Sequence, residues 1–220
     1  MGTLEKEHRF REGLLEWGEE NIRDFPWREK NRTFYEVFIA EFFLTQTPAD
    51  NVAGLYPEFL NRFPDLNAIE AARTSELAES IEPLGFHNMR AAALSEIASS
   101  YDDLPRTSDG LKELPRVGTY VANATVCFAG YERVPILDRN VRRVYGRVFR
   151  EEFQETTNEE EFALSILPSN SNTARTYNMA LLDFGAIVCR KTEPDCESCF
   201  SRRYCTYYAD EANTRDFSEP

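Results

Sequence analysis

The sequence predicts an all-α protein. Helix-start and helix-stop signals recur along the whole chain, and the alternating apolar–polar stretches that are typical of β-strands are essentially missing. The hydrophobic content of 42%, with sixteen phenylalanines among 220 residues, indicates a folded globule rather than a disordered chain. We therefore expect helices packed into one large domain or into two modest, interleaved ones.

Two of the predicted helices begin with clear N-terminal signals. Thr33 followed by Glu36 is a capping-box pair that opens the segment "FYEVFIAEFFL". Thr47 supplies an N-cap and Pro48 an N1 proline for a helix that ends near Arg62, where "FPD" stops it. Further helices are expected at about 66–73, 75–82, 87–100, 108–114, 119–129, 139–149, 159–166 and 173–188.

Composition limits the location and the partners of the chain. The longest strongly apolar run, "VFIAEFFL", is eight residues long and contains an acidic residue, so no membrane span is expected. The N-terminus is charged and lacks the apolar core of a signal peptide, which favours a cytoplasmic location. The formal net charge of −13 opposes binding to a polyanion such as DNA, so the positions of the arginines matter more than the total.

Four of the five cysteines lie close together near the end of the chain, spaced as Cys189-x6-Cys196-x2-Cys199-x5-Cys205. In a reducing compartment, clustered thiols favour metal ligation over disulfides. Structural zinc sites with four cysteines usually pair two short-spaced knuckles, and this loop contains one C-x2-C. The spacing therefore favours a 4Fe–4S cluster, with zinc as the alternative.

The segment "LKELPRVGTYVANATVCFAG" indicates two helices joined by a tight turn at 114–118, the second helix being closed by Gly130. Backbone N–H groups at the start of the second helix, together with its dipole, would form an anion site suited to a DNA phosphate. Such a site needs no positive net charge, so the acidic composition does not exclude DNA. An ordinary helix–helix turn is the alternative interpretation.

Asp138 follows an apolar stretch and precedes a predicted helix, so by itself it is most simply an N-cap. The arginines behind it form the strongest basic concentration in the chain, and several share one helix face. A solvated helix face is the alternative to a DNA-binding one. The arginines are Arg139, Arg142, Arg143, Arg147 and Arg150.

With hairpin, aspartate and cysteine loop in this order, the chain resembles the helix-hairpin-helix DNA glycosylases of the endonuclease III superfamily. The resemblance covers about residues 10–210 and is carried by "LPRVGTYVAN", "ILDRNVRRVYGR", "NMALLDFGAIVC" and the cysteine loop. "RDFPWREKNRTFYEVFIAEFFLTQT" looks most like the mismatch glycosylases, which comprise MutY adenine glycosylases and Mig-type thymine glycosylases. The family hairpin is usually Leu-Pro-Gly-Val-Gly, and Arg116 departs from it at the first glycine.

The resemblance implies a fold of two parts with double-stranded DNA between them. A six-helix barrel would span 25–132, and 1–24 with 133–220 would form an iron–sulfur domain whose cluster loop is 189–205. It implies a 4Fe–4S cluster rather than zinc, and a monomer. The DNA-contacting residues that it implies are Gln46, Phe86, His87, Arg116, Val117, Gly118, Arg142 and Arg143.

The resemblance also implies a mechanism. Asp138 matches the family's catalytic aspartate, whose carboxylate stabilises positive charge on the sugar as the base leaves. Bifunctional members carry a lysine where this chain has Tyr120, and a phenol cannot form an imine, so lyase activity is not expected. Glu41 aligns with the acidic residue that mismatch glycosylases use on the base or the water, and burial would keep it protonated as a general acid. Core packing for Tyr120 and a salt-bridged role for Glu41 are the structural alternatives.

The expected substrate is thymine or uracil mispaired with guanine. The "RDFPWR" opening together with Tyr120 looks Mig-like, and MutY enzymes usually add a C-terminal domain for which the 220 residues leave no room. Adenine opposite guanine or oxidised guanine is the first alternative, and damaged bases are the second. An alternative that is not an enzyme is an iron–sulfur module that binds DNA through the hairpin and the cluster alone.

Overall fold

The computed structural model describes residues 2–155 and 158–210, which form α-helices and short 3-10 turns without any β-strand. The predicted all-α class is confirmed. No helix among these residues is both long and apolar enough to cross a bilayer. The helices are α1 Thr3–Asn21, α2 Phe34–Leu44, α3 Ala49–Arg62, α4 Leu66–Ala71, α5 Thr74–Ser80, α6 His87–Ser100, α7 Ser108–Lys112, α8 Thr119–Phe128, α9 Arg139–Val148, α10 Arg150–Glu155, α11 Glu159–Ile166 and α12 Ser171–Ile187.

The chain divides into two compact units. The continuous unit is Asp24–Glu132, and the split unit combines Met1–Arg23 with Arg133–Pro220. Helices α2 to α8 belong to the continuous unit, and α1 with α9 to α12 belong to the split unit. The candidate catalytic residues are therefore distributed over two separately packed cores.

Helix α2 is the most deeply buried helix of the continuous unit. The predicted capping box is present: Thr33 Oγ1 accepts from the Glu36 N–H at 3.2 Å, and the Glu36 carboxylate accepts from the Thr33 N–H at 2.6 Å. Phe38 and Phe43 are fully buried, and α2 packs against α3 and α8. Because a helix that is apolar on all sides must lie inside a core, the acidic residue within it is buried as well.

The structure corrects the predicted start of α3. Pro48, not Thr47, is the N-cap residue, and the helix begins at Ala49. The Thr47 hydroxyl instead donates to the Leu84 carbonyl at 3.1 Å and accepts from Arg90 Nη2 at 2.8 Å. Because these partners lie outside α3, the hydroxyl joins the turn before this helix to the segment that leads into α6.

The split unit has an aromatic core. Helix α1 packs against α12, and the Phe10 ring makes edge contacts with Phe149 and Phe184 at 5.3 and 6.5 Å between centroids. Asp183 of α12 is fully buried, and its carboxylate accepts from the backbone N–H and the guanidinium of Arg23 at 2.7–2.9 Å. A buried carboxylate needs such partners to offset its desolvation, so this pair fixes the end of the N-terminal segment against α12. Helix α10 was not expected from the sequence.

Candidate active site

Glu41 lies in the last turn of α2 and is 2% exposed. Among residues 2–155 and 158–210, its Oε2 is the one buried side-chain oxygen or nitrogen without a hydrogen-bond partner. Burial raises the pKa of Glu41 to about 7, against the opposing effects of Arg28 and of a hydrogen bond with Tyr120. A buried polar atom without a protein partner is costly, so Glu41 is a candidate for ligand binding or for chemistry.

Tyr120 is the second residue of α8, the helix that packs against α2. Its side chain is half-buried and hydrogen-bonds the Glu41 carboxyl. The structure therefore brings together two of the three predicted catalytic residues within the continuous unit. The sequence predicted both residues but not their direct contact.

Asp138, the third predicted catalytic residue, belongs to the split unit and is the N-cap of α9. Its Oδ1 accepts from the Val141 N–H at 2.7 Å, so the cap that the sequence suggested is present. Burial raises the pKa of this carboxyl, and the N–H groups of Val141 and Asn140 and the charge of Arg143 oppose the rise. The cap holds one carboxylate oxygen in a fixed orientation and so fixes the other as well.

The helix-hairpin-helix is formed by α7, the turn at 114–118 and α8. Val117 is buried, and its N–H donates to the Leu114 carbonyl at 3.1 Å. Gly118 is the N-cap of α8 and has no side chain to cap it. The first backbone N–H groups of the helix therefore receive no side-chain cap hydrogen bond at this position. Arg116 stands where the family pattern has its first glycine, and it adopts φ 61°, a conformation that favours glycine.

One groove collects several residues that the sequence predicted to contact DNA. It has a volume of about 170 Å3 and is lined by Gln46, Phe86 and Arg116, with Phe42, Thr45 and Arg90. Phe86 is 56% exposed. His87, which was also predicted to contact DNA, lines a different pocket beside Glu79 and Glu82. Phe86 rather than His87 therefore shares the groove with Gln46.

The two arginines predicted to contact DNA from α9 are engaged within the split unit. Arg142 pairs with Glu159 at 2.6 Å and donates to the Leu137 carbonyl. Arg143 donates to the carbonyls of Cys189 and Gly185 at 2.8 and 2.7 Å. Part of the arginine concentration on α9 therefore has a structural role, because Arg143 connects this helix to the end of α12.

The four clustered cysteines are free thiols and line one small cavity in the split unit. Cys189 follows the end of α12, and its Sγ accepts from Arg147 Nη1 at 3.4 Å. Burial raises the pKa of Cys205 to about 11, and the neighbouring Cys199 and Cys189 contribute to the rise. Within residues 2–155 and 158–210, no three His, Cys, Asp or Glu side chains converge as ligands of a single metal ion.

The contacts of two further functional candidates could not be recognised from the sequence, although Arg28 ends the quoted segment "RDFPWR". Arg90 lies in the first turn of α6 and is 5% exposed, yet nothing in "HNMRAAAL" distinguishes a buried arginine from a solvated one. Arg28 follows a turn proline and acts on Glu41 through its charge. Both residues act through contacts distant in the sequence, which local patterns cannot indicate.

Comparison with known proteins identifies the family. Residues 39–169, more than half of the chain, match the model of the HhH-GPD superfamily of base excision DNA repair proteins, and the chain belongs to this family. The resemblance recognised from the motifs is thereby confirmed.

Two characterised relatives and one solved structure show how far the similarity extends. The chain is 36% identical to the adenine DNA glycosylase of Mycolicibacterium smegmatis, with 84% of this chain matched to 65% of that protein, so it spans less than two thirds of that relative. It is 31% identical to the thymine/uracil-DNA glycosylase of Methanothermobacter thermautotrophicus, over 94% of this chain and 96% of that one. A solved thermostable thymine-DNA glycosylase superposes with a TM-score of 0.88 at 31% identity, over 94% of this chain and 99% of that one.

The buried state of Glu41 predicts a specific pH dependence of stability. Its pKa rises from 4.5 to about 7 on folding, so between these values the folded chain keeps a proton that the unfolded chain has lost. Relative to Glu41→Gln, the wild-type protein should therefore lose up to about 3 kcal/mol of unfolding free energy as pH rises through this window. Denaturant unfolding at several pH values measures the difference.

The matched control is Glu58→Gln, an exposed position on α3. It measures what a glutamate-to-glutamine change does to the free energy of unfolding at a solvent-exposed position. A pH-independent difference between the wild-type protein and Glu41→Gln would mean that the Glu41 carboxyl is not desolvated in the folded chain.

Proposed function

We propose that this chain is a monofunctional DNA glycosylase that removes thymine or uracil mispaired with guanine. The observation that carries the proposal is the buried Glu41 carboxyl, with one unpartnered oxygen and a pKa near 7, in contact with Tyr120 where a lyase would have a lysine. Such a carboxyl can hold a proton at neutral pH and release it to a leaving group.

Removal of a base begins with its extrusion from the duplex. Extrusion costs roughly a few kcal/mol and costs least at a mismatch, because the pairing lost there is weaker. Gln46 and Phe86 line one groove of the continuous unit, and Phe86 is largely exposed. We assign them to the gap that the extruded nucleotide leaves, where an apolar side chain can replace the lost stacking.

Hydrolysis then exchanges one bond at the sugar for another. The bond from the base to C1′ breaks with its electron pair going to the base, which takes a proton from Glu41. Positive charge develops on the sugar, and the Asp138 carboxylate, fixed by its cap to Val141, stabilises that charge. The oxygen of water bonds to C1′, and the proton that water loses restores the Glu41 carboxyl.

Binding to the DNA backbone is assigned to the hairpin. The uncapped start of α8 at Gly118 and the exposed guanidinium of Arg116 provide N–H donors and one positive charge. Only Val117 separates Arg116 from Gly118 in the sequence, so the guanidinium and the start of α8 belong to the same turn. Local donors of this kind bind a phosphate in spite of a net charge of −13.

The four clustered cysteines are proposed to hold a 4Fe–4S cluster. A cubane cluster binds each cysteine to a different iron, so it needs four thiols around one cavity rather than four sulfurs at one point. The cavity lined by Cys189, Cys196, Cys199 and Cys205 fits this requirement. When bound, the cluster would supply structural cross-linking of the loop and no step of the hydrolysis. The cytoplasmic location and the monomeric state stay predictions from the sequence.

Adenine is the second candidate substrate. The identity to the adenine DNA glycosylase of Mycolicibacterium smegmatis, 36%, exceeds the 31% found with the thymine/uracil enzyme, and a protonated Glu41 suits the departure of either base. Thymine and uracil are preferred because the match to the thymine/uracil-DNA glycosylase extends over 94% of this chain, against 84% for the match to the adenine enzyme.

The substrate assignment predicts the result of a duplex panel. The wild-type protein should release base from G·T and G·U duplexes faster than from A opposite guanine or oxidised guanine, in single-turnover assays followed by alkaline cleavage. Asp138→Asn should lower the rate by about 10²- to 10³-fold, because it removes the charge that opposes the sugar cation. Binding to the same duplexes should change little.

Two outcomes of this panel would count against the proposal. Faster release of adenine would transfer the assignment to the second candidate. Absence of base release by the wild-type protein from every duplex, with DNA binding retained and unchanged in Asp138→Asn, would favour the non-catalytic DNA-binding module.

The identity of residue 120 predicts the absence of lyase chemistry. Borohydride should trap no covalent adduct between the wild-type protein and mispaired DNA, because the Tyr120 phenol cannot form an imine. Tyr120→Lys places an amine at this position and serves as the positive comparator. An adduct formed by the wild-type protein would show that another amine attacks the sugar.

The cofactor assignment predicts a difference between two kinds of cysteine variant. Protein purified without oxygen should contain iron and acid-labile sulfide and absorb visible light, and Cys205→Ser should lose most of all three. Cys127→Ser, at a buried cysteine of the continuous unit, is the matched control and should retain them. Zinc without sulfide in the wild-type protein would contradict the assignment.

A further inference from the structure

Three residues of the continuous unit adopt left-handed backbone conformations around one groove. Gln46, Phe86 and Arg116 have φ values of 58°, 50° and 61°, and all three line the groove. Side chains other than glycine adopt such conformations at a cost of about 1–2 kcal/mol each, and they persist where surrounding contacts over-determine them. Contacts that hold the turns at Gln46 and Phe86 are therefore required.

The Arg90 guanidinium supplies these contacts at the Gln46 turn. Its terminal nitrogens donate to the carbonyls of Phe43 and Thr45, each at 2.6 Å, and to the Thr47 hydroxyl at 2.8 Å. A longer bond reaches the Phe42 carbonyl at 3.4 Å. These four bonds match the four hydrogens of the terminal nitrogens, and the acceptors lie on both sides of Gln46.

The same residue is joined to the second turn. The Arg90 N–H donates to the Phe86 carbonyl at 3.0 Å, so the side chain projects from the helix turn that Phe86 begins. Thr47 completes the connection, because its hydroxyl also donates to the Leu84 carbonyl at 3.1 Å. Gln46 and Phe86 are thus joined through one planar guanidinium and one hydroxyl.

We infer that Arg90 is a positioning residue that holds Gln46 and Phe86 at a fixed separation, so that both enter the duplex as the mispaired nucleotide leaves. This role rests on the proposed function and adds to it a residue that touches neither base nor sugar. Arg90 acts on the extrusion step and leaves the cleavage of the base–sugar bond to other groups. Lysine cannot replace it, because an ammonium lacks the planar fork that reaches several acceptors at once.

The test is the conservative variant Arg90→Lys, followed by two readouts on a G·T duplex. The first readout is the fluorescence of 2-aminopurine placed beside the mispaired thymine, which rises when the neighbouring nucleotide leaves the stack. The second readout is the single-turnover rate of base release. Arg90→Lys should lose most of the fluorescence rise, and its rate should fall by about 10- to 100-fold, while its affinity for DNA changes less than about 3-fold.

Two further variants separate positioning from general loss of structure. Arg32→Lys alters a partly buried arginine of the continuous unit, which binds the Pro26 carbonyl and Glu36, and it should retain the fluorescence rise and the rate. Thr47→Val removes the hydroxyl link and leaves the bonds from Arg90 to the backbone. It should reduce both signals by about 3- to 10-fold and covers the case in which Arg90→Lys does not fold.

A full fluorescence rise in Arg90→Lys, whether or not the rate falls, would overturn the inference. An equal loss of both signals in Arg32→Lys would overturn it as well, because the effect would then be general destabilisation. Failure of the proposed function has a different result, since wild-type protein would release no base from any mispair. In that event the fluorescence readout still shows whether Arg90 governs entry of the two turns into the duplex.

Discussion

The proposed chemistry depends on one feature of the fold, the burial of the Glu41 carboxyl inside an apolar helix with one oxygen left unsatisfied. Desolvation raises the pKa of Glu41 to about 7. The charge of Arg28 and the hydrogen bond with Tyr120 act in the opposite direction but do not cancel this rise. The remaining core of the continuous unit provides the dry surroundings, because α2 is buried between α3 and α8. The packed core thus keeps the Glu41 carboxyl protonated, and the raised pKa of this carboxyl depends on the stability of the core.

A second energetic cost is the backbone strain in the turns around the groove. Left-handed conformations at Gln46, Phe86 and Arg116 have a cost in folding free energy, and the bonds of the buried Arg90 offset this cost at the turns of Gln46 and Phe86. A glycine would remove the strain at each position but would also remove the side chain that faces the groove. Strain retained at three positions around one groove is expected where side chains act on a ligand rather than on the fold.

The local parts of this structure could be predicted from the sequence and the non-local parts could not. The Thr33–Glu36 capping box was predicted because both partners lie within one turn, and the predicted helices are present with ends shifted by no more than two residues. Thr47 was assigned to the wrong role because its partners, Leu84 and Arg90, are about forty residues away. The bonds from Arg143 to the carbonyls of Gly185 on α12 and of Cys189 beyond its end could not be predicted, because these carbonyls have no signature in the sequence. Short motifs therefore indicated the class of site, and only the fold indicated its supporting contacts.

An NMR titration of the Glu41 side-chain carboxyl measures whether this residue is a neutral acid at physiological pH. The signal is assigned by its absence from Glu41→Gln, and the chemical shift is followed from acid to alkaline pH in the folded protein. The proposed role as a neutral acid predicts a midpoint near pH 7. A midpoint near the ordinary value of 4.5 would contradict it, because the carboxyl would then be ionised and unable to protonate a departing base.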